Sequence, residues 1–186
     1  TGINDAPVAV DDTDAVNEDA TVTRSSGSSL LMDDDSDADN DDAFTVTQIA
    51  VTGGSNNAVT ASSTYNSGSP ETVTGTYGTL TVGADGTYTY VADQSAADDL
   101  DASDTATDSF TYTISDGDTT DTATLIFTVT GVNDVPEAAD KTVTTNEDTA
   151  YVFSTSDFGY TDVDDDDALV SVKITTLEDA GALQYN

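Results

Sequence analysis

A strict alternation of apolar and polar side chains in the middle of the chain limits most strongly what this sequence can fold into. Residues 76–82 and 87–91 alternate in this way on either side of an Asp-Gly turn at residues 83–86. Because successive side chains of a strand point to opposite faces, this pattern predicts an antiparallel hairpin. The alternation returns in residues 109–114 and 123–129, which predict two further strands.

The remaining strand candidates are short and separated by polar turns. Residues 8–10, 21–23 and 44–51 predict strands, and a break in the alternation predicts a bulge in the third. We expect a weaker strand within residues 58–61 and a single short helical turn within residues 92–103. This pattern is typical of an all-β fold, an antiparallel Ig-like β-sandwich. The predicted core consists of Val46, Leu80, Val82, Tyr88, Tyr90, Phe110, Tyr112, Ile114, Leu125, Phe127 and Val129.

A seven-residue signature occurs twice in the sequence. The first copy is Thr-Gly-Ile-Asn-Asp-Ala-Pro and the second is Thr-Gly-Val-Asn-Asp-Val-Pro, so that Asn133 follows Asn4 by 129 residues (133 − 4). The tripeptide Asn-Glu-Asp keeps the same offset, at residues 17–19 and 146–148. A fixed offset over two separate motifs indicates a tandem array.

The repeat predicts the domain organisation of the chain. Residues 1–130 are expected to form a complete repeat, residues 131–136 a linker, and residues 137–186 the N-terminal part of a second, incomplete repeat. Because this last segment lacks most strands of its own repeat, we expect it to build no independent core. Its strand candidates are residues 142–144, 151–153 and 169–174.

The charge of the chain excludes several classes of function. There are 37 acidic and 3 basic residues, which give a net charge of −34. Phosphate backbones and anionic membrane surfaces bind clustered Lys and Arg, so we expect no nucleic-acid or membrane partner. The chain has no Cys and no His, and therefore lacks thiol chemistry, the commonest general base and the usual zinc ligand. With no catalytic motif either, we predict that the protein is not an enzyme.

Two pairs of aspartates are candidates for binding a cation. Asp37 and Asp39 precede a predicted strand, and Asp162 and Asp164 recur before another predicted strand, 125 residues later (162 − 37). Calcium takes six to eight oxygen ligands, and acidic loops supply them. The alternative is a solvated anionic surface, adapted to high salt, and this is the interpretation that we favour for residues 33–35.

Two common calcium motifs are excluded by the residues at their defining positions. In an EF-hand beginning at residue 37 or 162, the required glutamate at the twelfth position is replaced by Gln48 or Lys173. The pair Gly53-Gly54 lacks the rest of the nonapeptide that forms a calcium β-roll. Any calcium site in this chain must therefore be built by loops of the β-sandwich.

The motifs of the predicted strands together resemble a known family. Residues 77–82, 85–90, 107–117 and 132–136 are similar to the VCBS repeat, a bacterial cadherin-like repeat of very long surface or secreted proteins, including RTX adhesins. The resemblance covers roughly residues 1–136, and the remainder resembles the start of a related cadherin-like repeat. It implies a calcium-binding β-sandwich that serves as an extender or adhesion module at the bacterial cell surface, exported by type I secretion, with neighbouring repeats as its partners.

A looser resemblance to animal cadherins implies which residues hold calcium at the joint between repeats. Glu18 matches the glutamate of the first cadherin strand, and Asp101 matches the aspartate of a Leu-Asp motif. The joint is completed by the linker residues Asn133 and Asp134 and by the Asp-x-Asp pair Asp162 and Asp164. The corresponding half-site at the start of the chain consists of Asn4, Asp5, Asp37, Asp39 and Asp116.

A second function remains open at this point. The tyrosines Tyr77, Tyr88, Tyr90 and Tyr112 alternate along predicted strands, where aromatic rings bind sugars by stacking in some proteins and pack against neighbouring strands in others. The alternative to a structural module is therefore a carbohydrate-binding module that recognises polysaccharide in a calcium-dependent way.

Overall fold

The computed structural model describes residues 3–25, 31–39, 43–164 and 168–176. It contains two compact units, Thr1–Asn133 and Asp134–Asn186. The strands of the first unit, in chain order, are β1 (Asp12–Asn17), β2 (Thr21–Arg24), β3 (Thr45–Val51), β4 (Asn57–Ala58), β5 (Glu71–Thr74), β6 (Thr79–Val82), β7 (Tyr88–Val91), β8 (Thr105–Ser115) and β9 (Thr120–Thr130). A single helical turn, α1 (Ser95–Asp98), lies between β7 and β8.

The strands of the first unit form the two sheets of a sandwich. One sheet has the order β1-β9-β8-β3-β4 and the other the order β2-β7-β6-β5. All neighbouring strands are antiparallel except β1 and β9, which run parallel from the pair Asp12–Leu125 to the pair Asn17–Thr130. The predicted antiparallel sandwich is therefore confirmed, with one parallel pair at an edge that the sequence did not indicate.

The alternating segments form the strands that they predict. β6 and β7 pair across the Asp-Gly turn, where Gly86 has a φ of +79°, a left-handed conformation that glycine adopts without steric cost. β8 and β9 pair over their whole length of 11 residues. The predicted bulge in β3 lies between Val46 and Gln48, where the register with β8 shifts.

The core lies between the two sheets and contains every residue predicted for it, each exposed by 3% or less. At its centre the ring of Tyr90 stacks on that of Phe127, with centroids 4.0 Å apart, and Phe110 meets both rings edge to face. Burial of large apolar side chains of this kind stabilises a fold by about 1.5–3 kcal/mol each. The two-residue period of the sequence thus directly produces the packed interior.

The first strand differs from the prediction. Residues 8–10 form only one isolated bridge, between Val8 and Ser36, while the acidic segment that succeeds them forms β1. The charge of Asp14 in this strand is matched by Arg24 of β2, whose guanidinium donates to both carboxylate oxygens at 2.7 and 2.9 Å. Pairing with β9 and this ion pair therefore stabilise a strand of weak β propensity.

The second unit contains little regular structure. Strand β10 (Glu137–Ala138) pairs with β11 (Tyr160–Thr161), and a 3₁₀ helix (Thr155–Phe158) precedes the latter. The strands predicted at residues 142–144, 151–153 and 169–174 do not form, so those predictions are wrong. A strand needs a neighbour for its backbone hydrogen bonds, and the described residues of this unit include no counterpart of β7, β8 or β9.

Candidate functional site

The first acidic pair belongs to a loop that is held by the start of the chain. The backbone of Val8 exchanges two hydrogen bonds with that of Ser36, at 2.7 and 3.1 Å, which places the loop beside the Asn-Asp-x-Pro segment. There the backbone N–H of Asp5 donates to Oδ2 of Asp39 at 2.7 Å. The backbone N–H of Asp39 in turn donates to Oδ1 of Asp37 at 2.9 Å. Each carboxylate therefore has one oxygen fixed by a main-chain donor.

The second oxygen of Asp37 is in a different situation. Its Oδ2 is buried, and within the described structure it has no hydrogen-bond partner. Burying a polar oxygen without a partner is costly, and native structures rarely leave one in this state. Asp37 therefore presents a lone pair that a cation can use without displacing a protein donor.

The remaining predicted residues of this half-site lie on the turn between β8 and β9. Asn4 donates to Oδ2 of Asp116 at 3.0 Å. The same carboxylate also accepts the backbone N–H groups of Asp118 and Thr119 and the hydroxyl of Thr119, all at 2.7 Å. These donors lower the pKa of Asp116, with the N–H of Thr119 contributing most. Because four donors fill its lone-pair positions, Asp116 acts as the cap of this turn.

The second unit repeats the acidic loop. The backbone N–H of Asp134 donates to Oδ2 of Asp164 at 2.8 Å, and the hydroxyl of Tyr160 donates to Oδ2 of Asp162 at 2.9 Å. The other oxygens, Oδ1 of Asp162 and Oδ1 of Asp164, are buried and have no hydrogen-bond partner within the described residues. Asp164 is only 4% exposed, so its carboxylate is the most buried of the two acidic pairs.

The two loops share their hydrogen bonding at the offsets found in the sequence. The contact of Asp134 with Asp164 corresponds to that of Asp5 with Asp39, by 129 and 125 residues respectively (134 − 5 and 164 − 39). The β10–β11 pair Glu137–Thr161 corresponds in the same way to the bridge between residues 8 and 36. The acidic loop and the segment that holds it are therefore built alike in the two units.

The turn at the repeated Asn-Glu-Asp tripeptide also has the same backbone in both units. Asp19 and Asp148, 129 residues apart (148 − 19), each have a φ of +57°. The turn is closed in each case by a backbone hydrogen bond of 3.2 Å, from Ala20 to Asn17 and from Thr149 to Asn146. Residues at equivalent positions therefore adopt equivalent local structures in the two units.

Glu18 and Asp101 lie together at the C-terminal end of the first unit. Glu18 is 5% exposed, and its Oε1 accepts the backbone N–H of Val132. Gly131 exchanges backbone hydrogen bonds with Ser103 and with Asp104, in the turn that begins at Asp101. A Cβ atom at Gly131 would lie 2.3 Å from the Asp101 carbonyl oxygen, so only glycine permits this approach. Asn133, which ends the first unit, is exposed.

The predicted site residues thus fall into three groups, each within one unit. In the described parts of the chain, no group of three or more acidic side chains has the arrangement of a metal site. What the structure provides is a set of oxygen ligands on loops that are held by main-chain hydrogen bonds. The three groups are Asn4, Asp5, Asp37, Asp39 and Asp116; Glu18, Asp101 and Asn133; and Asp134, Asp162 and Asp164.

The tyrosines of the sequence have packing roles. Tyr88, Tyr90 and Tyr112 are 3%, 0% and 0% exposed, so their ring faces are not available to a sugar. Tyr77 packs half-buried at the margin of the core. Among the predicted sugar-binding residues, three therefore belong to the interior of the sandwich.

One buried carboxylate was missed by the sequence interpretation. Asp108 is 4% exposed and accepts the backbone N–H groups of Thr76, Tyr77 and Gly78 at 2.8–3.0 Å and the hydroxyl of Tyr90 at 2.7 Å. It holds the loop that leads into β6. The signal was present, because the alternation of β8 places residue 108 on the inward face with the apolar residues.

No helix among the described residues has the length and apolar character needed to cross a membrane. A comparison with curated proteins found no match. The model of the bacterial cadherin-like domain matches residues 4–131, which span nearly the whole first unit. This confirms the cadherin-like part of the resemblance seen in the sequence, and domains of this family occur in surface proteins and are typically not enzymes. By this match over most of its length, the chain belongs to the family of bacterial cadherin-like domains.

Proposed function

We propose that this protein is a calcium-binding extender and adhesion module of a large bacterial surface protein. The family supports an adhesion or extender type of domain. The observation that supports calcium is the carboxylate of Asp164, which is 4% exposed and has one oxygen on the N–H of Asp134 and the other without a partner. An ionised group buried in this way is destabilising unless a cation completes its surroundings.

The chemistry of the donor sets favours calcium among the common metal ions. Carboxylate and amide oxygens are available, while the sequence offers no thiolate or imidazole. Hard cations prefer oxygen ligands, and calcium tolerates the irregular geometry of loops better than magnesium, which demands a near-octahedral arrangement and retains its waters. A divalent ion also reduces the mutual repulsion in a chain with a net charge of −34.

The expected affinity fits a protein that works outside the cell. Extracellular calcium modules bind with Kd values of about 10⁻⁴ to 10⁻³ M. Cytosolic calcium would leave such sites empty, whereas extracellular calcium would fill them. The module would then be exported in a flexible state, by type I secretion in this proposal, and become rigid outside.

Thermal unfolding provides the test of calcium binding. We expect calcium to raise the Tm well beyond a magnesium control of equal ionic strength, because a ligand that binds only the folded state at a hundredfold excess over Kd stabilises it by about 2.7 kcal/mol. Asp39→Asn and Asp164→Asn should each remove part of this rise. Asp99→Asn serves as the matched control, since it removes the same charge at an exposed position outside the three groups. Equal stabilisation by magnesium or plain salt would mean that the acidic residues are only a screened surface.

The resemblance to cadherins adds a stiffened joint to this proposal. In that interpretation Glu18 and Asp101 share calcium with Asn133, Asp134, Asp162 and Asp164. A Glu18→Gln variant tests this assignment separately, because it should reduce the calcium-dependent rise in Tm as Asp164→Asn does. A rise that is unchanged in Glu18→Gln but reduced in Asp164→Asn would retain calcium binding and remove the shared joint.

A further inference from the structure

A buried hydroxyl in the first unit is surrounded by more acceptors than it can serve. The side chain of Tyr112 in β8 is 0% exposed. Its hydroxyl oxygen lies 2.8 Å from the carbonyl of Val10, 3.0 Å from Oδ2 of Asp12 and 3.1 Å from the carbonyl of Leu31. A fourth oxygen, Oδ1 of Asp35, lies at 3.4 Å. These contacts join the start of β1, the loop at residues 31–35 and β8.

The number of protons decides how this cluster is satisfied. A tyrosine hydroxyl has one proton to donate and can also accept. The two carbonyls have no proton to donate, and Oδ1 of Asp35 already accepts the backbone N–H of Val10 at 2.8 Å. If the carboxyl of Asp12 carries a proton, it donates to the oxygen of Tyr112, and the tyrosine proton goes to the carbonyl of Val10. If Asp12 is ionised, four acceptors compete for a single proton.

The charges around Asp12 favour the protonated form. Burial raises the pKa of Asp12 to about 7, against a smaller opposing effect of the Tyr112 hydroxyl. Three further carboxylates, Asp34, Asp35 and Asp33, raise this pKa through repulsion from the facing loop. On the neighbouring strand β9, Asp121 accepts the backbone N–H of Ala9 and adds to the negative charge that acts on residue 35.

No cation among the described residues of the first unit offsets these charges. Arg24 is the only basic residue of that unit in the sequence, and its guanidinium is bound to both oxygens of Asp14. The hydroxyl of Tyr88 donates to the same carboxylate at 2.9 Å. The charge of Asp14 on the same strand is thereby compensated, while that of Asp12 is not.

We propose that Asp12 retains a proton in the folded protein and forms with Tyr112 a proton-dependent clasp of three segments of the first unit. The clasp fixes the loop at residues 31–35, which continues directly into Asp37 and Asp39. Loss of the proton leaves a charged carboxylate among acceptors and weakens the attachment of this loop. The proposal does not depend on calcium binding and holds for the protein in the presence of a chelator.

The sign of the pH effect is set by the raised pKa. An acid that holds its proton more tightly in the folded state stabilises that state most below its unfolded pKa, which is 3.8. This contribution is lost progressively as the pH rises from about 4 to about 7, and it stays constant above that range. The clasp is therefore strongest in mildly acidic solution.

Titration of Asp12 by NMR, through the side-chain carboxyl carbon, tests the clasp in the full chain with EGTA present. The Asp12 resonance is assigned from its loss in Asp12→Asn. We expect its midpoint near 7, whereas Asp121, whose pKa is lowered by the N–H groups of Ala9 and Thr122, serves as an internal control below 3.8. A midpoint of Asp12 near 4 overturns the proposal.

The stability of Asp12→Asn gives an independent readout. The amide of asparagine donates to the oxygen of Tyr112 as the protonated carboxyl does, without a charge to lose. Relative to Asp99→Asn, the variant should raise the Tm by at least about 2 °C at pH 8 and by clearly less at pH 5. Equal shifts of the two variants at both pH values contradict the clasp, because they reduce the effect of Asp12 to the general charge of the chain.

Discussion

The two units begin with the same motifs but differ in the secondary structure that these motifs enter. In the first unit, residues 12–17 and 21–24 are strands that pair with β9 and β7. At the equivalent positions of the second unit, residues 141–146 and 150–153 form no strand, although the turn between them has the same backbone geometry. Turns and acidic loops are therefore specified by nearby residues, whereas the strands require partners that lie about 100 residues away in the first unit.

The difference is also visible in the apolar residues. In the first unit they are packed between two sheets, with twelve large side chains exposed by less than 2%. In the second unit many remain open to solvent, because the sheets that would cover them have no counterpart among the described residues. The exposed side chains of that unit are Val135, Val143, Tyr151, Val152, Phe153, Val163, Val170, Val172 and Ile174.

Hydrogen exchange should show the largest contrast between the units. Amides of β8 and β9 are paired on both sides over most of their length, and their exchange requires global unfolding. With a stability of about 5 kcal/mol, this slows exchange by more than a thousandfold. Residues 139–153 should exchange close to their intrinsic rates. Slow exchange of both regions in a monomeric sample would contradict this description of the second unit.

Replacing Asp108 should destabilise the first unit alone. Asp108→Ala removes the acceptor of three backbone N–H groups and of the Tyr90 hydroxyl. Each buried donor left without a partner costs about 1–3 kcal/mol, so the total loss should reach about 3–5 kcal/mol. Denaturant unfolding measures it, and Asp108→Asn, which keeps one oxygen acceptor, is the matched control. A loss below about 1 kcal/mol for the alanine variant would show that the loop is held by other contacts.

The ion pair between β1 and β2 should have the smallest effect. The equivalent positions in the second unit are Val143 and Phe153, 129 residues after Asp14 and Arg24 (143 − 14 and 153 − 24), so this polar link exists only in the first unit. Because the arginine side chain is 37% exposed, solvent screens the pair. We expect Arg24→Gln to lower the free energy of unfolding by about 1 kcal/mol, and less at high salt. A loss that does not depend on salt would mean that packing, not charge, is responsible.

The sequence predicts those parts of the fold that a local pattern determines. The alternation of β6 to β9 specifies both the strands and the inward residues, so the hairpins and the core can be predicted from it. β1 was not predicted, because its acidic residues disfavour a strand and its stability comes from parallel pairing with β9. The wrong strands of the second unit have the converse cause, since their local pattern is suitable but lacks partners.

The candidate site divides in the same way. The acidic pairs were found because each lies in one loop and recurs at a fixed offset. Asp116 was placed correctly beside Asn4, but only the structure shows that four donors already occupy its oxygens. The cluster around Tyr112 could not be predicted, because it joins residues as far apart as Val10 and Leu31, and no motif connects them.

The parallel pairing of β1 and β9 has a mechanical consequence for a module in an extended surface protein. The first strand lies near the beginning of the unit and the last strand ends at Thr130, and the two run side by side through six residue pairs. A pull on the two ends of the unit draws these neighbouring strands in opposite directions along their common axis. Their hydrogen bonds are then strained together in shear and cannot open one after another, so the strand pair resists stretching as a whole.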